Sequence, residues 1–227
     1  LSERLAATAW PAVAAIAADR LLVIPLGSTE QHGPHLSFTT DTEIAVALAD
    51  ALAGRRTDVV VAPPLAYGSS GEHKGFAGTL SMGGPAFAAV VVELVRSADA
   101  FAGVVLVNAH GGNAGALAAA VTRLTDEGRR VLAWTPALPR GGDAHAGRTE
   151  TSVMLALRPE AVALDAAAAG DTRPLTVLLP ELRAGGVAAV SPNGVLGDPA
   201  GANAAEGSEF LDALVEDLDE AVERWRN

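Results

Sequence analysis

Short apolar, β-rich runs alternate with stretches of helical periodicity along most of this chain, and that alternation limits the fold more than any other feature. Leu21 to Leu26 (LLVIPL) is continuously apolar and is ended by Gly27-Ser28, so it reads as a buried strand. Residues 40–52 place Ile44, Leu48 and Leu52 at helical spacing, open with a Thr40-x-x-Glu43 capping box and stop at Gly54. A second strand is expected at 58–62, before Pro63-Pro64, and a helix at 85–98 with proline in its first turn. Further strands are expected at 104–107 and 130–134, and helices at 113–126, 149–157 and 207–226. This order predicts an α/β fold, a three-layer α/β/α sandwich around a mostly parallel central sheet. No repeat or shift in composition divides residues 1–227, which read as one domain, with 185–207 as an internal loop rich in Gly, Pro and Asn. Trp10, Phe87, Phe101 and Trp225 read as core rather than interface.

Composition narrows the function. Asp and Glu number 27 against 16 Lys and Arg, a formal net charge of −11, which argues against nucleic acid or an anionic membrane as partner. Cysteine is absent, which excludes disulfides, thiol nucleophiles and Cys-ligated zinc and leaves His, Asp and Glu for any metal. The apolar runs fall far short of the ~20 residues of a membrane span. Leu1-Ser2-Glu3-Arg4 lacks a basic segment followed by an apolar one, so no signal peptide is expected and a cytoplasmic location is.

In parallel α/β sheets ligands bind beyond the carboxyl ends of the strands, so polar residues there carry most weight. The first strand runs into Gly27-Ser28-Thr29-Glu30-Gln31-His32-Gly33-Pro34-His35, with Asp41 nine residues after His32. Glu30 and His32 are two apart and share a side in extended backbone. The strand at 104–107 ends in Asn108-Ala109-His110-Gly111-Gly112-Asn113, and the one at 130–134 is followed by His145 and Glu150. Any one loop histidine reads as a solvated side chain, and Asp41 or Glu150 alone as a first-turn acid favouring a helix dipole. Three strand ends each bringing a histidine with a carboxylate read otherwise. Such N/O ligands around one bridging carboxylate suit a pair of divalent ions, and amide hydrolysis is the natural chemistry of such a pair. Neither a P-loop nor G-x-G-x-x-G nor G-x-S-x-G is present.

The segments GSTEQHGPHL, TTDTEIA, NAHGGN and HAGRTETSVMLAL, taken together, resemble the creatininase family of metal-dependent amidohydrolases. The resemblance runs from Leu21 through 194–199. Within the family, 67–73 (YGSSGEH) and 191–195 (SPNGV) look most like the mycofactocin-system members, which trim a modified precursor peptide during cofactor biosynthesis. The resemblance implies two divalent ions, Zn, Fe or Mn. Glu30, Asp41 and His110 match the ligands of one; His32 and Asp41 match those of the other, with Asp41 bridging. Creatinine-cleaving members carry an acid two residues after the third-strand histidine. Gly112 stands there in this chain, which disfavours creatinine as substrate and makes Glu150 the replacement ligand. His145 matches the family's active-site histidine and, with Glu150, is a candidate for catalysis. Glu72, His73 and Lys74 are candidates to line the substrate pocket, and Lys74 or Arg148 to hold a substrate carboxylate. The family also implies a closed homo-oligomer, often a hexamer. Competing readings are hydrolysis of a small cyclic amide or formamide, separable by pocket size; a non-catalytic metal- or ligand-binding scaffold, disfavoured by the intact ligand set; and a sugar-converting metal enzyme, separable by trial with keto-sugars.

Overall fold

The computed structural model describes residues 3–137 and 142–226; Leu1 and Ser2 of the N-terminal reading lie outside them. The strands are β1 (Glu3–Arg4), β2 (Leu21–Leu26), β3 (Val59–Val61), β4 (Gly103–Asn108) and β5 (Val131–Trp134). They form one sheet in the order β1-β3-β2-β4-β5, and every pairing is parallel. The helices are α1 (Trp10–Ala14), α2 (Thr40–Arg55), α3 (Gly84–Arg96), α4 (Ala114–Asp126), α5 (Arg148–Leu157), α6 (Leu175–Gly185), α7 (Val187–Val190) and α8 (Ala204–Arg226).

The strand at the centre explains the layers. β2 pairs with β4 along its whole length, Leu21 opposite Gly103 through Leu26 opposite Asn108. Its side chains alternate between faces, as pleated backbone requires. Leu21 and Val23 enter a cluster with Leu48 and Leu52 of α2, Met154 of α5 and Leu218 of α8. Leu22, Ile24 and Leu26 enter the opposite cluster with Phe87 and Val91 of α3 and Leu117 and Leu124 of α4. Both faces are therefore covered, which is why these strands read as continuous apolar runs. Among the described residues no helix is long and apolar enough to cross a membrane.

Several local expectations need correcting. The capping box does not form at Thr40. The N-cap is Thr39, whose hydroxyl donates to the Glu43 carboxylate at 2.8 Å, while the Thr40 hydroxyl turns back to the Ser37 carbonyl. The 185–207 segment contains α7 and the first turn of α8 as well as loop. β1, α1 and α6 were not expected. β1 is only two residues long, and α6 carries Pro180 inside it. Phe87 is core, but Trp10 is 79% exposed, because it sits on the five-residue α1, none of whose residues is buried.

Candidate metal centre

All five histidines lie outside the long helices, and all five are buried, so none is the solvated loop side chain that each suggests alone. Burial demands partners, and the partners define the site. β2 delivers Glu30 and His32, the first turn of α2 delivers Asp41, and β4 delivers His110. A two-stranded bridge to Leu196 fixes His145 just ahead of α5, which carries Glu150 in its first turn.

Asp41 is the hub. Its Oδ1 lies 3.1 Å from His32 Nε2 and its Oδ2 lies 3.1 Å from His110 Nδ1, while the Ser28 hydroxyl donates to Oδ2 at 2.6 Å. His32 Nδ1–H donates to the Glu30 carbonyl at 3.1 Å, which aims Nε2 at Asp41 and at Glu150 Oε2, 4.0 Å away. Locking one ring nitrogen on a carbonyl so that the other faces inward is how proteins orient a metal-ligating histidine. Two three-residue sets have ligand atoms within 4.8 Å of one another and share Asp41: Glu30, Asp41, His110 and His32, Asp41, Glu150. A third set of the same compactness joins Glu30 and His32 to His145.

The electrostatics fit a cation. Neither oxygen of the Glu30 carboxylate has a hydrogen bond, although His73 Nε2 and His110 Nε2 each lie 3.2 Å from one of them. Burial, reinforced by Asp41, pushes Glu30 up to about 8, and burial also raises Glu150. Burial would lower His32 and His110, but Asp41 overrides it and pushes them up to about 10 and about 9. Asp41, in spite of burial, is held well below the usual carboxylate range by these two imidazoles. Carboxylates crowded in a buried space, one with both oxygens orphaned, and an N/O donor set without sulfur together match a hard or borderline divalent ion.

His145 is held differently. Its Nε2–H donates to the Gln31 carbonyl at 2.8 Å, so Nδ1 carries the lone pair and faces Glu30 Oε1 at 3.9 Å. Burial and the neighbouring His32 and His73 hold it neutral, well below its ordinary range. His73 is lowered to about 3 by burial and by His32 and His110, and its Nδ1 accepts from Gln31 Nε2 at 2.9 Å. Gln31 and Ser28 are buried site residues that sequence reasoning passed over. Their signal was available, since both are polar and lie directly beyond a buried strand. Ala146, next to His145, adopts the left-handed region at φ 51°, and its N–H donates to Glu150 Oε2 at 2.6 Å. Strain of this kind is sustained only where the surroundings fix it.

A cavity of about 360 Å³ opens onto the centre. Glu30, Glu72, His110 and His145 wall one side, and α6 walls the other with Leu179 and Arg183. A groove of about 430 Å³ adjoins it; the two share Glu72, Leu182 and Arg183, and Lys74 lies in the outer one only. Glu72 reaches the centre because residue 112 is glycine. A Cβ there would stand 2.2 Å from Glu72 Oε1 and 2.5 Å from His110 Nε2. Thus Glu72 and His73 adjoin the centre and Lys74 borders the groove beyond it. Arg148 borders neither, because its guanidinium pairs with Glu206 of α8 at 2.8 Å. Arg183 was not foreseen, since α6 itself was not.

The creatininase family model, described as creatinine amidohydrolase, matches residues 6–222. A mycofactocin precursor peptide peptidase of Mycobacterium ulcerans (strain Agy99) is 49% identical over 99% of this chain and 89% of its own length. A solved structure described as creatininase Mn superposes with a TM-score of 0.80 at 26% identity, covering 99% of this chain and 98% of its own. A mutant creatininase of Zn-Zn type gives 0.80 at 25% identity over the same shares.

Proposed function

This chain belongs to the creatininase family and is a hydrolase of amide bonds; from that premise we propose that it is a two-metal peptidase that releases the C-terminal, Val-Tyr-derived dipeptide from a modified mycofactocin precursor peptide. The carrying observation is the pair of ligand sets that share Asp41, in a chain 49% identical to a peptidase of that name. Glu30, Asp41 and His110 would hold one ion, and His32, Asp41 and Glu150 the other. Two divalent ions there, Zn, Fe or Mn, supply Lewis-acid polarisation of the scissile carbonyl and activation of water near neutral pH.

The chain's own groups do the rest. His145, neutral and unprotonated at Nδ1, is placed to take the proton released as water attacks the carbonyl and to give it to the departing amine. The Gln31 carbonyl fixes its tautomer throughout. The Ala146 N–H holds the Glu150 carboxylate in place. The leucines of α6 cover the cavity and keep its dielectric low, which strengthens the polar interactions inside. The continuation of the cavity into an outer groove favours a peptide over a small cyclic amide, which would need only the inner space.

The proposal places the chain in the cytoplasm as one domain in a closed homo-oligomer, whose stoichiometry light scattering measures. The function is tested by mass spectrometry of the modified precursor peptide, incubated with metal-loaded protein and with chelator. A shortened peptide and a dipeptide that appear only with metal are expected. An unchanged peptide with folded, metal-loaded protein refutes the reading and favours small cyclic amides.

A further inference from the structure

Residues 191–195 supply no member of the ligand sets, yet Ser191, Gly194 and Val195 are buried. The Asn193 side chain closes this turn, its Oδ1 accepting from the Ser191 hydroxyl at 2.8 Å and from the Val195 N–H at 3.1 Å. Leu196 then exchanges two backbone hydrogen bonds with His145, which pins the segment beside the centre. The Gly194 carbonyl points inward and meets the side chain of Gln31.

The Gln31 amide can sit one way only. Its Oε1 accepts from the Gly33 N–H at 2.8 Å, and its Nε2 donates to the Gly194 carbonyl at 3.0 Å. Turning the amide over would set donor against donor and acceptor against acceptor in a buried space. Gly194 lies at φ 81°, and a Cβ on it would stand 1.9 Å from Gln31 Oε1, so the clamp requires glycine. One hydrogen of Nε2 remains, and its acceptor is His73 Nδ1 at 2.9 Å. His145 Nε2 also lies 3.1 Å from Gln31 Nε2, but its hydrogen is given to the Gln31 carbonyl, so this approach is packing rather than a hydrogen bond.

A His73 ring that accepts at Nδ1 carries its hydrogen on Nε2. That nitrogen faces Glu30 Oε1 at 3.2 Å. The contact lacks the alignment of a hydrogen bond, yet its sign depends on the tautomer. With hydrogen on Nε2 the ring offers the carboxylate its positive edge; the other tautomer would offer a lone pair. Gln31, His73 and Glu30 are all buried, so these dipoles act at low dielectric.

We infer that Gln31 is a positioning residue that acts through His73 to hold the Glu30 carboxylate in its metal-binding orientation, and that the 191–195 motif serves to lock the Gln31 amide. This rests on Glu30 being a metal ligand and is independent of which peptide is cut.

The test is zinc affinity, by competition with a chromophoric chelator, together with nitrogen-15 spectra of the histidine rings. Groups that orient a metal ligand are worth about 10–100-fold in affinity. Gln31→Met should weaken zinc by about tenfold or more, and His73→Ala by at least as much. The double variant should bind no worse than His73→Ala, because Gln31 reaches Glu30 only through the ring. His73→Gln, whose amide nitrogen extends to the place of Nε2, should recover part of the loss; His73→Asn, which extends only to the place of Nδ1, should not. Circular dichroism checks the fold of each variant. In the unmodified, zinc-loaded protein the His73 ring should carry its hydrogen on Nε2. A hydrogen on Nδ1, or zinc on either ring nitrogen, overturns the assignment whether or not the variants fold. So do additive losses in the double variant, unchanged affinity in Gln31→Met, or equal affinities of His73→Gln and His73→Asn. An unmodified protein that binds no zinc refutes the metal centre and the proposal with it. Tight zinc that is indifferent to Gln31 refutes the positioning role alone.

Discussion

Replacing Asp41 by Asn tests the centre at its hub. The change keeps the shape and removes the one charge that both ligand sets share. His32 stands at about 10 against an ordinary 6.5, so in the metal-free protein its ion pairing outweighs the cost of burial by about 5 kcal/mol, at 1.36 kcal/mol per pH unit. The sign follows from the raised folded value. That stabilisation is complete below pH 6.5 and is lost as pH rises toward 10, leaving about 4 kcal/mol at pH 7. Breaking a buried pair costs about 3–5 kcal/mol, a matching scale. In Asp41→Asn, burial should prevail over the remaining carboxylates, so His32 should titrate at or below its ordinary value and metal-free stability at pH 7 should fall by several kcal/mol. Metal should suffer more. Loss of a mere orienting partner weakens metal binding about 10–100-fold, and this change removes a ligand from both sets. Three readouts check it: imidazole NMR against pH, urea unfolding of the metal-free protein, and metal content after dialysis against buffered zinc. Two retained ions with full peptide hydrolysis, or a His32 that still titrates near 10, would refute the reasoning.

The remaining predictions address the shell around that hub. Glu30, His32 and His110 sit at about 8, 10 and 9 without metal, so filling the centre at pH 7 should release one proton from each, three in all; affinity should climb with pH and the release should dwindle above 8, as calorimetry in buffers of different ionisation enthalpy would show. A proton count near zero at pH 7 would contradict the ligand sets. Gly112→Ala should displace Glu72 and press on His110 and on the Ser69 carbonyl, which a Cβ would approach to 2.2, 2.5 and 2.5 Å, cutting hydrolysis by at least about tenfold and lowering Tm as well. Ala146→Gly should relieve the left-handed backbone, a gain of about 0.5 kcal/mol after the entropy of glycine is charged, yet slow turnover by loosening the N–H that holds Glu150; a loss of Tm would mean that φ 51° carries no strain. Phe87→Ala, in the core beneath α3, should cost about 3–5 kcal/mol without changing the metal content of the protein that remains folded.

The parts of the molecule legible in the sequence are those whose physics is local. The run Leu21–Leu26 matches its strand residue for residue because a strand covered on both faces admits only apolar side chains. Glu30, His32, Asp41, His110 and Glu150 could be gathered in advance because parallel strands point their carboxyl ends the same way, so a residue just past one strand meets residues just past its neighbours. What stayed hidden depends on distant partners. Thr40 looks like a cap until Thr39 takes that place. Arg148 looks like a substrate ligand, since nothing near it in sequence reveals that Glu206, fifty-eight residues on, will claim it. Arg183 escaped notice for the opposite reason. Pro180 argues against a helix at that place, and Arg173, ten residues earlier, removes the acid that would otherwise have neutralised it. Residues that would hold the metals are constrained by strand geometry and can be read from spacing. Among the described residues Arg183 is left without an ion pair by pairings elsewhere, and a pattern of which charges are already paired exists only once the chain has folded.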